Sequence, residues 1–150
     1  MRRFHFSLRP VAVLRAHREM QARQALAAAL GLAAAAEANL AAVRARAADL
    51  ERAIADGRSG GFHSDQQVAF ISAYRRERMN EAEAARKLDG ARREVERRRQ
   101  AAVEANRQVK IVASLEEKAR ARHRAETLRV EQLEFDERAA SRAGRQPATL

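Results

Sequence analysis

The chain lacks cysteine and tryptophan altogether, has two prolines and six glycines, and carries aromatic rings at only 4% of its 150 positions. Without cysteine there is no disulfide and no thiolate metal site, and nothing asks for an oxidising compartment. Without aromatics a compact core would be thin. The apolar share is 46%, but most of it is alanine, which buries little area per residue. Scarce Gly and Pro leave few points at which a helix must stop. What remains is a chain of Ala, Glu, Arg and Leu with one-third of its residues charged, the profile of long helices and coiled coils. The expected fold class is all-α.

Long hydrophobic runs are missing too. The longest apolar stretch, Ala25 to Ala36, is mostly alanine and too short to span a bilayer. Arg15, Arg18, Glu19 and Arg23 separate it from the basic start Met1-Arg2-Arg3, a layout unlike a secretory leader. A cytoplasmic protein is expected.

Residues 4–11 read as a helix start: Ser7 is placed to cap, Pro10 falls in the first turn where a missing N–H is harmless, and Phe6 is placed to staple onto Val11. From Leu26 an apolar 3/4 spacing holds through Ala29, Ala33, Ala36, Leu40, Val43, Ala47, Leu50 and Ile54. Asp56-Gly57 then predicts the end of helix one, so that it covers about residues 8–56. The stretch from 56 to 65 holds three of the six glycines, and no continuous helix should pass through it. Ser64 with Gln67 predicts a capping box. The spacing resumes at Phe70 and Tyr74, turns polar at Glu77 and Glu81, and continues through Ala84, Leu88, Ala91, Val95, Arg98, Ala102, Ala105, Val109 and Val112. Beyond Val112 the register weakens, with Leu115, Ala119, Leu128 and Leu133 fitting less cleanly. Helix two is expected over about 64–142, with a turn at 57–63 and a frayed tail at 143–150 marked by Gly144 and Pro147.

A short Gly-rich turn between two striped helices favours an antiparallel two-helix coiled-coil hairpin. With its centre near residue 60, facing residues sum to about 120. Residue 1 then meets about 119, and the end of helix two forms an unpaired C-terminal overhang.

No catalytic constellation emerges. His5, His17, His63 and His123 are scattered, with no pair at the i, i+4 spacing that puts two ligands on one helical face. Gly57-Arg-Ser-Gly-Gly61 lacks the Lys-Ser or Lys-Thr of a phosphate loop and reads as a turn. Glu116-Glu117 and Asp136-Glu137 are paired acids without a pocket to shift their pKa values. Neither an enzyme, a cofactor, a metal nor a small-molecule substrate is expected. The formal charge of +10 raises nucleic acid as a partner. Arg75-Arg76, Arg92-Arg93 and Arg97-Arg98-Arg99 alternate, however, with Glu77, Glu81, Glu83, Glu94 and Glu96, which reads as a solvated, self-paired face. Such a surface suits an acidic protein or an anionic membrane as well. Phe70 and Tyr74 stand one turn apart near the hairpin tip. They either fill the seam against Leu50 and Ile54 or, where Glu77 and Glu81 loosen it, anchor a partner.

Two segments carry a family resemblance. Phe4-x-Phe6-x-Leu8-x-Pro10-Val11, leading into Leu14-Arg15, resembles the N-terminal signature of the flagellar type III export protein FliJ family. Leu115-Glu-Glu-Lys118 followed by Glu134-Phe-Asp-Glu-Arg-Ala139 is similar to that family's C-terminal region. The resemblance implies a non-catalytic stalk of flagellar protein export, cytoplasmic and peripheral at the inner face of the cell membrane. It implies three partners: the hexameric export ATPase, the membrane export gate and export chaperones. By that analogy the overhang, with Arg122, Arg129, Leu133, Asp136 and Glu137, goes with the ATPase ring. The tip, with Leu50, Ile54, Phe70 and Tyr74, faces the gate. The related stalks of virulence-type injectisomes share this layout.

Overall fold

The computed structural model describes residues 3–61 and 63–144. It contains two helices, α1 (Arg9–Gly60) and α2 (Ser64–Ala143), packed against each other as an antiparallel hairpin, with no strand among the described residues. Most of the expected tail, from 145 onward, lies outside the described residues; Gly144 closes α2 by donating its N–H to the Ala140 carbonyl at 3.0 Å.

The ends of the helices differ from the sequence reading in informative ways. At the N-terminus the Leu8 carbonyl accepts the first helical bond, from the Ala12 N–H at 3.0 Å, so Leu8 and not Ser7 occupies the cap. Pro10 sits in the first turn as expected. Helix α1 does not stop at Asp56-Gly57 but runs on to Gly60, with the Ser59 hydroxyl donating to the Ala55 carbonyl at 3.0 Å. The left-handed conformation is taken by Gly61, at φ 82°. Three candidate glycines stood in this stretch, and only the last adopts the backbone that requires glycine. Helix α2 begins one residue earlier than a Ser64 cap would have it. The His63 carbonyl accepts from Gln66 N–H at 3.0 Å and Gln67 N–H at 3.3 Å, placing Ser64 inside the first turn. Asp65 then lies at the positive end of the helix dipole.

Moving the turn moves the register. Cross-helix pairs join Arg44 to Glu81 at 3.0 Å, Arg46 to Glu77 at 3.4 Å and Arg9 to Glu116 at 3.4 Å. Each partner on α2 lies about one helical turn beyond the residue that a centre at 60 would select. The longer α1 and the turn at Gly61 account for the offset.

The hairpin divides into two compact units, residues 20–104 and residues 1–19 with 105–150. In the first, Leu40, Val43, Ala84 and Leu88 form a buried cluster against which Ala36 and Ala85 pack. Every α1 seam position expected from Leu26 to Ile54 is buried or half-buried. On α2 the seam residues Ala84, Leu88 and Val95 are buried, whereas Arg98 is exposed, its charge drawn out to water. In the second unit Phe6 and Val112 are buried. The seam there continues through Glu116, Ala119 and His123, all half-buried, and leaves Leu115 exposed, contrary to the sequence reading.

An 18-residue stretch of α1 has a mean hydropathy of 1.7, long and apolar enough by composition to cross a membrane, and only 17% of it is buried. Its hydropathy is mostly that of alanine, and small side chains gain little from transfer. Along this unit α1 is paired with a charged helix: Glu37 meets Arg92 at 3.4 Å. Taking that pair into hydrocarbon would be costly.

Two glycines test the placement of the turn. Gly90 lies inside α2 with open space where a Cβ would go, so Gly90→Ala should stabilise by roughly 1 kcal/mol. Gly61→Ala must hold a left-handed backbone and should destabilise by about 1 kcal/mol. Urea unfolding followed by circular dichroism distinguishes the two; equal and same-signed shifts would argue against a turn at Gly61.

Candidate partner-binding surfaces

The N-terminal segment is fastened to α2 by a small network within the unit of residues 1–19 and 105–150. The Phe4 ring tilts against His123, with ring centres 5.5 Å apart, and the Arg120 guanidinium lies 5.5 Å from the same ring. Arg120 donates to Glu116 Oε1 at 2.8 Å, and Arg9 donates to that same oxygen at 3.4 Å. One carboxylate thus joins both helices, while a cation–π contact holds the chain ahead of α1. Phe6, in the next inward position, is buried. Sequence reading treated Phe6 as a staple for the helix start. Its burial and the Phe4–His123 contact instead tie this end to α2.

This network shifts the start of the overhang. Because His123 has a partner in Phe4, the paired part of α2 reaches at least residue 123 among the described residues, and the overhang does not begin at 120. Arg122, Arg129, Leu133, Asp136 and Glu137 are all exposed. Spacings of seven, four and three residues from Arg122 through Arg129 and Leu133 to Asp136 place them along one helical face. The sequence reading missed a second row there. Leu128 and Phe135, seven residues apart, are 65% and 67% exposed, Phe135 more so than any other described aromatic in the exposed hydrophobic set. An exposed Phe and Leu at heptad spacing were visible in the sequence as a pattern, but the charged residues around them disguised it.

At the other candidate site Leu50, Ile54, Phe70 and Tyr74 are each half-buried. The observed register sets Leu50 across from Tyr74 and Ile54 across from Phe70, so all four stand on the seam near the turn. Glu77 and Glu81 follow them, and their side chains, 18% and 19% exposed, reach Arg46 and Arg44 across the pair. The seam therefore passes from apolar to ionic directly beside the aromatic residues.

The arginine runs between Arg92 and Arg99 are neutralised, whereas Arg75 and Arg76 form no ion pair among the described residues. Arg92 pairs with Glu37 at 3.4 Å, Arg93 with Asp89 at 2.6 Å, Arg97 and Arg98 with Glu94 at 2.5 and 2.7 Å, and Arg99 with Glu96 at 3.3 Å. Such surface pairs each contribute less than about 1 kcal/mol to stability, yet they leave few bare cations in this run for phosphates. Lys87 beside Glu83 likewise holds that carboxyl below its usual range, chiefly by a hydrogen bond. By contrast Arg18, Lys118, Arg122, Arg124 and Arg129 form no ion pair among the described residues.

The surface offers little for bond-making chemistry. One depression is lined by Met79, Asn80, Ala82, Glu83, Arg86 and Lys87, all from a short span of one helix, and so is a gap between side chains on α2. No group of three or more His, Asp or Glu able to hold a metal occurs among the described residues.

A family model described as Flagellar FliJ protein matches residues 4–148. The chain belongs to the FliJ family. Membership gives it a role connected with flagellar protein export, in a family whose members are non-catalytic components of that process. No curated protein and no solved structure matches it. Both ends of the matched span fall on the features above: the network at Phe4 opens it, and the exposed row at Leu128 and Phe135 lies near its close.

The network predicts unequal costs. Phe6→Ala removes a buried ring and should lower unfolding free energy by about 3 kcal/mol. Glu116→Gln keeps the shape and loses the charge shared by Arg9 and Arg120, and should cost about 1 kcal/mol. Equal losses in urea unfolding would show that the carboxylate, and not the buried ring, is the main fastening.

Proposed function

We propose that this chain is a non-catalytic stalk or adaptor of the flagellar type III protein export apparatus, cytoplasmic and peripheral at the inner face of the cell membrane. In this reading it joins the hexameric export ATPase to the membrane export gate and handles export chaperones. Family membership over residues 4–148 carries the reading. The exposure of the C-terminal part of α2 supports giving that part to a partner protein. A charged helix with Leu128 and Phe135 bared to water gains apolar burial by docking through that row. The overhang is assigned to the ATPase ring, with Leu128 and Phe135 as anchors beside Arg129, Leu133, Asp136 and Glu137. The tip is assigned to the gate, where half-buried Phe70 and Tyr74 present their outer edges.

A chain ending after Thr127 keeps the Phe4–His123 contact and should remain a folded hairpin by circular dichroism. It should no longer promote assembly of the cognate export ATPase ring; undiminished promotion would remove the overhang from this role. For the tip, Phe70→Ala combined with Tyr74→Ala should weaken binding to the cytoplasmic part of the gate at least about tenfold, with only a small drop in melting temperature. A large drop in melting temperature with gate binding retained would make them seam residues alone. Tight DNA binding with a steep salt dependence, and no effect on an export ATPase, would favour the nucleic-acid alternative instead.

A further inference from the structure

The unit of residues 1–19 and 105–150 bears an exposed apolar patch that neither the seam nor the overhang uses. Val11, Leu14, Ile111 and Leu115 are 36%, 48%, 41% and 43% exposed. The register is fixed here by Arg9–Glu116 and by Arg15, whose Nη1 donates to the Gln108 carbonyl at 3.3 Å. It sets Leu14 across from Ile111 and Val11 across from Leu115. Each of the four immediately precedes a buried or half-buried seam residue: Ala12, Arg15, Val112 and Glu116. One residue is a rotation of about 100° in the same sense on either helix. In an antiparallel pair equal flanks adjoin, so the four side chains share one edge of the helix pair.

The same flank carries cations at both ends of this patch. Arg18 precedes half-buried Glu19; Lys118 precedes Ala119, and Arg122 precedes His123. None of the three cations forms an ion pair among the described residues. The remaining flank position is Gln108, ahead of half-buried Val109, so no acid stands on this edge between Val11 and Arg18 or between Gln108 and Arg122. The arginine runs near Arg92 show the contrasting arrangement, in which neighbouring acids match each cation. Here that compensation is withheld around an apolar centre.

We propose that this flank is a docking groove for an amphipathic helix of a partner protein, with Leu-type side chains along one face and Asp or Glu toward both ends. From Gln108 to Arg122 the groove is roughly 21 Å long, the length of a helix of about 14 residues. Charge selects this occupant over the others. A second copy of the chain, docking through the same flank, would bring cation onto cation. A lipid surface is commonly anchored by Trp and Tyr at the interface, and this edge carries neither. Phosphate backbones use the cations but not the apolar centre, since nucleic-acid interfaces are polar.

The test uses the full-length chain and a labelled synthetic helix of about 14 residues with a Leu face and Glu at both ends, beside a twin with Lys in place of Glu. The acidic helix should bind at least about tenfold more tightly than its twin, equivalent to about 1.4 kcal/mol. Leu14→Ser with Ile111→Ser, and separately Arg18→Glu with Lys118→Glu, should each reduce that binding about tenfold while the circular dichroism spectrum is unchanged. Equal binding of the twins, or either double variant binding as the parent does, would overturn the proposal. So would preferential binding to phosphatidylglycerol vesicles or duplex DNA that ignores Leu14→Ser with Ile111→Ser, or self-association in sedimentation that this variant abolishes. The variants leave Phe70, Tyr74 and everything after Thr127 intact. Failure here therefore leaves the export reading standing, and failure of the ATPase or gate experiments leaves this groove standing.

Discussion

The register between α1 and α2 is the constraint on which the rest depends. An alanine-rich seam supplies little energy per contact, so a shift of one helical turn would cost few buried carbons. Register must therefore come from elsewhere. It comes from Gly61, left-handed at φ 82°, and from polar groups that match across the pair. In the unit of residues 20–104 these are Glu77 and Glu81, facing Arg46 and Arg44 from largely shielded positions. In the unit of residues 1–19 and 105–150 they are Glu116, shared by Arg9 and Arg120, and the bond from Arg15 to the Gln108 carbonyl. Breaks in the apolar stripe are thus part of what specifies the fold. A polar residue on a coiled-coil seam gives up stability and gains a unique alignment.

That trade explains what the sequence made legible. The 3/4 spacing from Leu26 to Ile54 identified the α1 seam residue by residue, because one period and one partner act along that whole run. The turn was placed in the right stretch but about four residues early. Gly57 and Gly60 are compatible with a helix that continues, and composition does not say which glycine adopts a positive φ. The register error followed from that choice alone. Past Val112 the pattern failed for a different reason. Leucine attracts a seam assignment, yet the observed seam passes through Glu116 and His123 because their partners, Arg9 and Phe4, lie ahead of or at the very start of α1. Local periodicity carries no information about such distant partners.

The candidate surfaces were legible to different degrees. Phe70 and Tyr74 stood out by rarity, and the structure keeps them half-buried on the seam. The C-terminal residues came from the family resemblance, and all five are exposed. The row of Leu128 and Phe135 was not legible, since an isolated aromatic among acids reads as incidental until its exposure is known. The patch at Leu14 and Ile111 was beyond reach of the sequence, because it exists only once the register brings two distant segments together.

Charge is organised on the same principle. A chain with a formal excess of +10 invites a polyanion reading if its cations are counted. Counting partners gives another picture. Between Arg92 and Arg99 the guanidinium groups are matched to Glu37, Asp89, Glu94 and Glu96. Among the described residues Arg18, Lys118 and Arg122 are left unmatched beside exposed leucine and isoleucine side chains. An ion pair with solvent-exposed neighbours contributes little to folding, so leaving these three without acids costs the fold almost nothing. It does, however, preserve a local positive potential next to apolar surface, and potential of that kind acts on encounter and on the choice of partner more than on stability. A helix pair whose seam is rich in alanine has limited apolar area to offer a partner. Placing its uncompensated charge around the few exposed large apolar side chains is the arrangement by which a small area selects an acidic helix over the other helices it would meet.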